Sequence, residues 1–114
     1  MDDYERGLLA GLLIGEGRFL NSGPSGRPRL RVSVKLHTRS ERFLRETRDA
    51  VRLGHVYGPC YHAHRQYVLW HITRLEELAD LCRMLDVDNF AARCDWVGWR
   101  YGRMRDALRY RIAW

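Results

Sequence analysis

Apolar and polar residues change rhythm several times along the 114-residue chain, and each change marks an element. Behind Asp2, apolar residues recur at helical intervals as far as Ile14. Glu5 stands three residues after Asp2, so the pair predicts a capping box, each side chain satisfying the other's backbone N–H. Gly15-Glu16-Gly17 is expected to end this helix, followed by a short strand over 18–21 and a Ser/Gly/Pro loop over 22–26. Residues 28–37 alternate with the period of a half-buried strand: Leu30, Val32, Val34 and Leu36 take one face, and Arg29, Arg31, Ser33, Lys35 and His37 the other. Thr38 with Glu41 repeats the capping signal before a helix whose apolar side is Phe43, Leu44, Thr47 and Val51, with Gly54 as its stop. Residues 55–61 and 67–73 read as two more strands around a turn at 63–66. Thr73 with Glu76 opens a third helix carrying Leu75, Leu78, Ala79, Cys82 and Leu85. Residues 86–89 break it, and a last helical stretch begins near Phe90.

The order α-β-β-α-β-β-α-α predicts a single α+β domain, residues 1–114, with helices on one sheet face and the other face open and polar. Hydrophobic residues at 46% supply a core and charged residues at 30% a soluble surface. No apolar run reaches a membrane span, and the opening Met1-Asp2-Asp3 has the wrong charge for a secretory signal. The 3 cysteines form no CxxC and cannot all pair, which suits a reducing, intracellular setting (cytoplasm, nucleoid or organelle).

Charge changes the picture more. The formal net charge is +6, and Lys35 is the sole Lys among 20 cations. Arg grips phosphates bidentately and reads guanine edges, so a polyanion is the first partner to consider. Placement strengthens that reading. Residues 18–42 hold seven cations against Glu41, a net of +6, whereas residues 74–88 hold two cations and five acids, a net of −3. A solvated sheet face usually mixes signs; this segregation favours nucleic acid.

The first helix carries a second signal. Gly7, Gly11 and Gly15 recur every four residues with Ala10 beside them, although each glycine costs a helix about 1 kcal/mol. Such a stripe suits two helices touching backbone to backbone, or a helix lying close on its own sheet. Glu16 sits at the carbonyl end of that helix, where the dipole disfavours a carboxylate. Either a cation shared with the carbonyls compensates, or Glu16 is merely solvated in a glycine turn.

Leu9-Ala10-Gly11-Leu12-Leu13-Ile14-Gly15-Glu16-Gly17, followed by Arg18-Phe19, resembles the LAGLIDADG motif of homing endonucleases, and the later elements follow that family's order over nearly the whole chain. The resemblance implies a four-stranded antiparallel saddle sheet, and a homodimer whose motif helices meet on a two-fold axis through Gly7, Ala10, Gly11 and Ile14. It also implies a divalent metal, Mg²⁺ or Mn²⁺, held by Glu16 with the Gly15 carbonyl, and cleavage of a long near-palindromic double-stranded DNA site. Thr38 matches a polar residue that orders water. Two positions depart from the family: Ile14 replaces the motif's first acid, and Asp86-Val87-Asp88-Asn89 stands where a basic residue precedes the later helix. Arg83 and Arg93 are the nearest cations. The second departure favours an alternative, a non-cleaving DNA-binding regulator on the same fold.

On this reading Arg18, Arg29, Arg31, Ser33, Lys35, His37, Arg39 and Arg42 contact DNA from the first hairpin and its exit. In the second hairpin the family pattern turns Trp70 and Ile72 inward and leaves His71 and Thr73 toward DNA, with His64 and Arg65 on backbone phosphate at the turn. Cys60, His62 and His64, with His55 or His71 as a fourth ligand, offer a zinc reading, but the tight paired spacings of structural zinc are missing, so the group reads first as a polar recognition surface. The C-terminal arginines and tryptophans read first as core or interface cover and second as a nucleic-acid clamp. RNA binding has family precedent but no residue here selects it. No P-loop, nucleophile elbow or complete GxGxxG supports other chemistry.

Overall fold

Asp2 and Glu5 do cap the first helix reciprocally: the Glu5 N–H donates to Asp2 Oδ1 at 2.8 Å and the Asp2 N–H to Glu5 Oε1 at 3.4 Å. In the computed structural model, which describes residues 1–22 and 29–114, this is α1 (Asp3–Glu16). It runs two residues past Ile14. Gly15 and Glu16 stay helical, and the chain becomes extended only at Gly17, whose N–H bonds back to the Leu13 carbonyl. A Cβ at Gly17 would overlap that carbonyl, so the exit requires glycine.

Four strands follow the predicted order: β1 (Gly17–Ser22), β2 (Arg29–His37), β3 (His55–His62) and β4 (Arg65–Ile72). They form one antiparallel sheet in the order β1-β2-β4-β3. Ser22 belongs to β1, and the rest of the loop expected over 22–26 lies outside the described residues. The second turn is tighter than 63–66. Ala63 and His64 alone make it, both at positive φ (49° and 66°), as a two-residue hairpin turn demands.

The second and third capping boxes do not form. Thr38 opens a short 3₁₀ turn (Thr38–Ser40), and it is His37 Nδ1 that accepts the Arg39 N–H, at 3.0 Å. The following helix, α2 (Glu41–Val51), has Ser40 as an N-cap without a side-chain bond. It stops at Arg52, left-handed at φ 63°, before Gly54 is reached. Gly54, at φ 74°, instead passes beneath β4, where a Cβ would collide with the His71 carbonyl. Leu44 and Val51 are the buried side of α2, while Phe43 is 39% exposed. For α3 (Leu75–Val87) the N-cap is Arg74, not Thr73, again with no side-chain bond. The last stretch divides into a 3₁₀ turn (Phe90–Ala92) and α4 (Asp95–Arg109).

The helices cover one sheet face. Leu9 and Leu13 of α1, Val32 and Val34 of β2, Val68, Trp70 and Ile72 of β4, Leu78 of α3, and Tyr101 and Met104 of α4 are all buried together. Each large side chain so buried contributes about 1.5–3 kcal/mol. Trp70 Nε1 donates to the Leu53 carbonyl at 2.8 Å. Tyr101 Oη donates to Asp86 Oδ1 at 2.7 Å, Arg105 Nη1 reaches the same oxygen at 2.9 Å, and α4 is thereby locked to α3. Among the described residues no helix is long and apolar enough to cross a membrane.

Candidate nucleic-acid interface

Strand alternation decides what the uncovered sheet face presents. With Leu30, Val32 and Val34 in the core, β2 turns Arg29, Arg31, Ser33, Lys35 and His37 outward. Register fixes their neighbours. Arg18 of β1 and His71 of β4 flank Ser33 on either side, and Leu69 lies opposite Lys35. Ser33 is only 7% exposed, because a short side chain on a central strand is overtopped by Arg18 and His71. It forms the floor of the face. Val68, Trp70 and Ile72 are buried, so His71 and Thr73 do face outward.

Among the described residues, Arg18, Arg29, Arg31 and Lys35 on this face form no ion pair with a carboxylate. Lys35 Nζ lies over the Tyr67 ring, 4.3 Å from its centroid. Burial, reinforced by the Arg31 charge, lowers the His71 pKa below the ordinary imidazole value, which favours the neutral ring with one donor and one acceptor. Arg42 differs: it lies on α2 and pairs with Glu46 at 2.9 Å.

The alternation also exposes residues that sequence reasoning missed. His55 and Tyr57 of β3 point to the same side as His71, with ring centroids 4.5 Å apart for His55–Tyr57 and 5.6 Å for Tyr57–His71. Their one signal was Val56 between two polar-tipped rings, and the register shift between Tyr57 and Cys60 obscures it further along. Cys60 and His62 share this face, but His64 belongs to the turn. Among the described residues no three His, Cys, Asp or Glu side chains stand together as a metal-holding group.

At one end the face deepens into a groove of about 810 Å³. Glu16, Arg18, Lys35, His37, Thr38, Arg39, His64, Arg65 and Gln66 border it, so the expected acid, the expected hydroxyl and most of the expected cations converge. Thr38 Oγ1 lies 3.4 Å from both Gln66 Oε1 and His37 Nδ1. Glu16 is exposed and makes no ion pair among the described residues, although Arg18 and Lys35 border the same space.

The glycine stripe of α1 looks away from the sheet. A Cβ at Gly7, Gly11 or Gly15 would meet nothing within 4 Å, so close packing on the chain's own sheet is excluded as its reason. Ala10 and Ile14 edge this open surface together with Arg6, Asp88 and Arg93. Asp88 forms an ion pair with Arg6 at 3.5 Å, and its carbonyl accepts from Arg93 Nε at 3.2 Å. Arg83 is turned to Asp80 at 2.7 Å. Neither Arg83 nor Arg93 borders the Glu16 groove.

An α-β-β-α-β-β-α-α domain with an open basic sheet face and a carboxylate at the end of an exposed small-residue helix has the fold of the LAGLIDADG homing endonucleases. The archaeal intron-encoded homing endonuclease I-Vdi141I, solved in complex with DNA, superposes with a TM-score of 0.77 at 16% identity, covering 96% of this chain and 69% of its own. The homing endonuclease I-TnaI gives 0.75 at 14% identity, covering 90% and 70%. The LAGLIDADG meganuclease I-AabMI, bound to uncleaved DNA, gives 0.72 at 20% identity; the match covers 91% of this chain but 36% of that larger one. No family model matches the chain, and no curated protein is similar in sequence.

Proposed function

We propose that the chain is a DNA endonuclease of the homing type, acting as a homodimer on a long, near-palindromic duplex site. One observation carries this reading: α1 holds its glycine stripe open to solvent while delivering an unpaired Glu16 to the edge of the basic groove. A second copy packed on Gly7, Ala10, Gly11 and Ile14 covers the stripe and brings two Glu16 carboxylates together beneath two basic faces. A single copy offers one carboxylate there, so the site is complete only in the pair.

Glu16 fits a divalent cation by its chemistry. It is exposed, lacks an ion-pair partner, and stands among the carbonyls that end α1, where the helix dipole disfavours negative charge. When bound, Mg²⁺ or Mn²⁺ supplies Lewis-acid stabilisation of the phosphate and lowers the pKa of bound water. Arg18, Lys35 and Arg39 neutralise phosphates next to the scissile bond, with His64 and Arg65 on the backbone beyond. Thr38, with Gln66 beside it, orients water in the groove. Arg29, Arg31 and His71 extend the contact along the major groove, which accepts a two-stranded ribbon.

Asp88 favours a second reading. An acid tied to Arg6 stands where the family has a basic residue, which suits a DNA-binding regulator that no longer cuts. Selection from a randomised palindromic duplex library in Ca²⁺, followed by Mg²⁺, decides between them. The nuclease yields defined cuts at the dyad, and Glu16→Gln abolishes cutting while leaving binding within a few-fold. One enriched palindrome with no cuts means a binder; preference for structured RNA over every duplex rejects both.

A further inference from the structure

The outward side of α4 is aromatic. On α4, Tyr101, Met104 and Leu108 are buried against the sheet and α3, which leaves Trp96, Trp99, Arg100 and Arg103 on the outward side at helical spacing. Trp96 is 64% exposed and Trp99 52%. Their rings stack with centroids 5.6 Å apart and planes inclined by 26°. The Arg100 guanidinium lies 5.2 Å from the Trp96 ring and that of Arg103 5.0 Å from the Trp99 ring. Neither arginine is in an ion pair, whereas Arg6, Arg42, Arg45, Arg48, Arg83 and Arg105 all are.

Two indoles left in water on one helix face forgo burial that the core offers elsewhere, and contiguous exposed apolar area of this kind marks a contact site. Its chemistry narrows the partner. Flat π surfaces at neighbouring positions accept base faces, and the adjacent unpaired guanidinium groups accept phosphates, the pairing used to hold unpaired strands. A duplex is poorly suited, since its base faces are already stacked on one another. A purely apolar protein patch would leave Arg100 and Arg103 buried without anions.

We propose that this face of α4 is a second nucleic-acid site, specific for an unpaired polynucleotide strand and usable while the sheet face is occupied. A base stacks on each indole by displacing the guanidinium that lies over it, Arg100 from Trp96 and Arg103 from Trp99, and the freed guanidinium groups meet the phosphates. Base faces and phosphates are common to ribo- and deoxyribo-strands, so the site is indifferent to the sugar. The proposal does not depend on the sheet face binding DNA, because the two surfaces share no residue.

Fluorescence anisotropy of end-labelled dT₁₂ and U₁₂, a readout independent of the protein's own tryptophans, tests it on the full chain. Trp96→Ala/Trp99→Ala should weaken both oligonucleotides at least tenfold. Arg100→Gln/Arg103→Gln should flatten the salt dependence, whereas Arg31→Glu/Lys35→Glu on the sheet face should leave single-strand affinity within about threefold. All these side chains are surface groups, and circular dichroism checks that each variant folds. Unchanged affinity in the tryptophan variant overturns the proposal. So does loss confined to the sheet-face variant, or a preference beyond tenfold for one sugar. If sedimentation shows that the tryptophan variant instead loses self-association, the face is a protein interface and the proposal fails.

Discussion

Cys82 shows how much a single environment changes a side chain. It is fully buried between α3 and α4, and burial pushes its thiol up to about 11, with the Asp86 charge acting in the same direction and the Tyr101 hydrogen bond against it. Cys60 and Cys94 are partly exposed. At pH 8 a disulfide reagent should therefore modify two thiols quickly and the third only as fast as the domain opens. Three fast thiols would mean that α3 and α4 separate readily despite the Tyr101–Asp86–Arg105 lock. The helical period of the sequence already placed Cys82 inward. Nothing in it showed that Tyr101 and Arg105 converge on Asp86, because that contact crosses 15 and 19 positions of chain.

Among the elements, capping illustrates why a local signal reads well in one place and badly in another. Asp2–Glu5 begins a helix from free chain, and the box forms. Thr38–Glu41 and Thr73–Glu76 follow strands, whose ladders hold the backbone until residue 37 and residue 72; Thr38 is drawn into a 3₁₀ turn and Thr73 is left one position early. Glycines divide in the same way. A Cβ at Gly98 would overlap the Ala91 carbonyl, so Gly98→Ala should cost about 1–3 kcal/mol in chemical denaturation. Gly11→Ala meets nothing in the single chain and should stabilise α1 by up to about 1 kcal/mol through helix propensity. Yet in the proposed dimer the added methyl would stand where the second helix backbone approaches, so the same variant should dissociate dimers in sedimentation. Gain of stability with unchanged self-association would remove the stripe from the interface. The stripe was legible in the sequence, but its direction was not: periodicity places residues on a face without saying what the face meets.

For the molecule as a whole, the alternation of β2 announced a basic face, and the end of α1 announced its acid. Of β3, Cys60 and His62 were legible as one face, but Tyr57 stayed hidden, because the irregularity between Tyr57 and Cys60 breaks the period that would have joined it to them. The assembled face also sets a length. β2 spans nine residues, eight steps of about 3.3 Å, or roughly 27 Å. That matches about eight base pairs at 3.4 Å each. If two copies meet through α1, protection should cover two such half-sites related by a dyad, with the Glu16 pair at the centre. A duplex carrying one half-site keeps every contact of one copy but loses the effective concentration that joining supplies, so its affinity should fall by 100-fold or more, on the order expected when a linked second contact is lost. A half-site bound as tightly as the full site would show that one copy reads DNA alone, and the two-fold arrangement of acids would go with it.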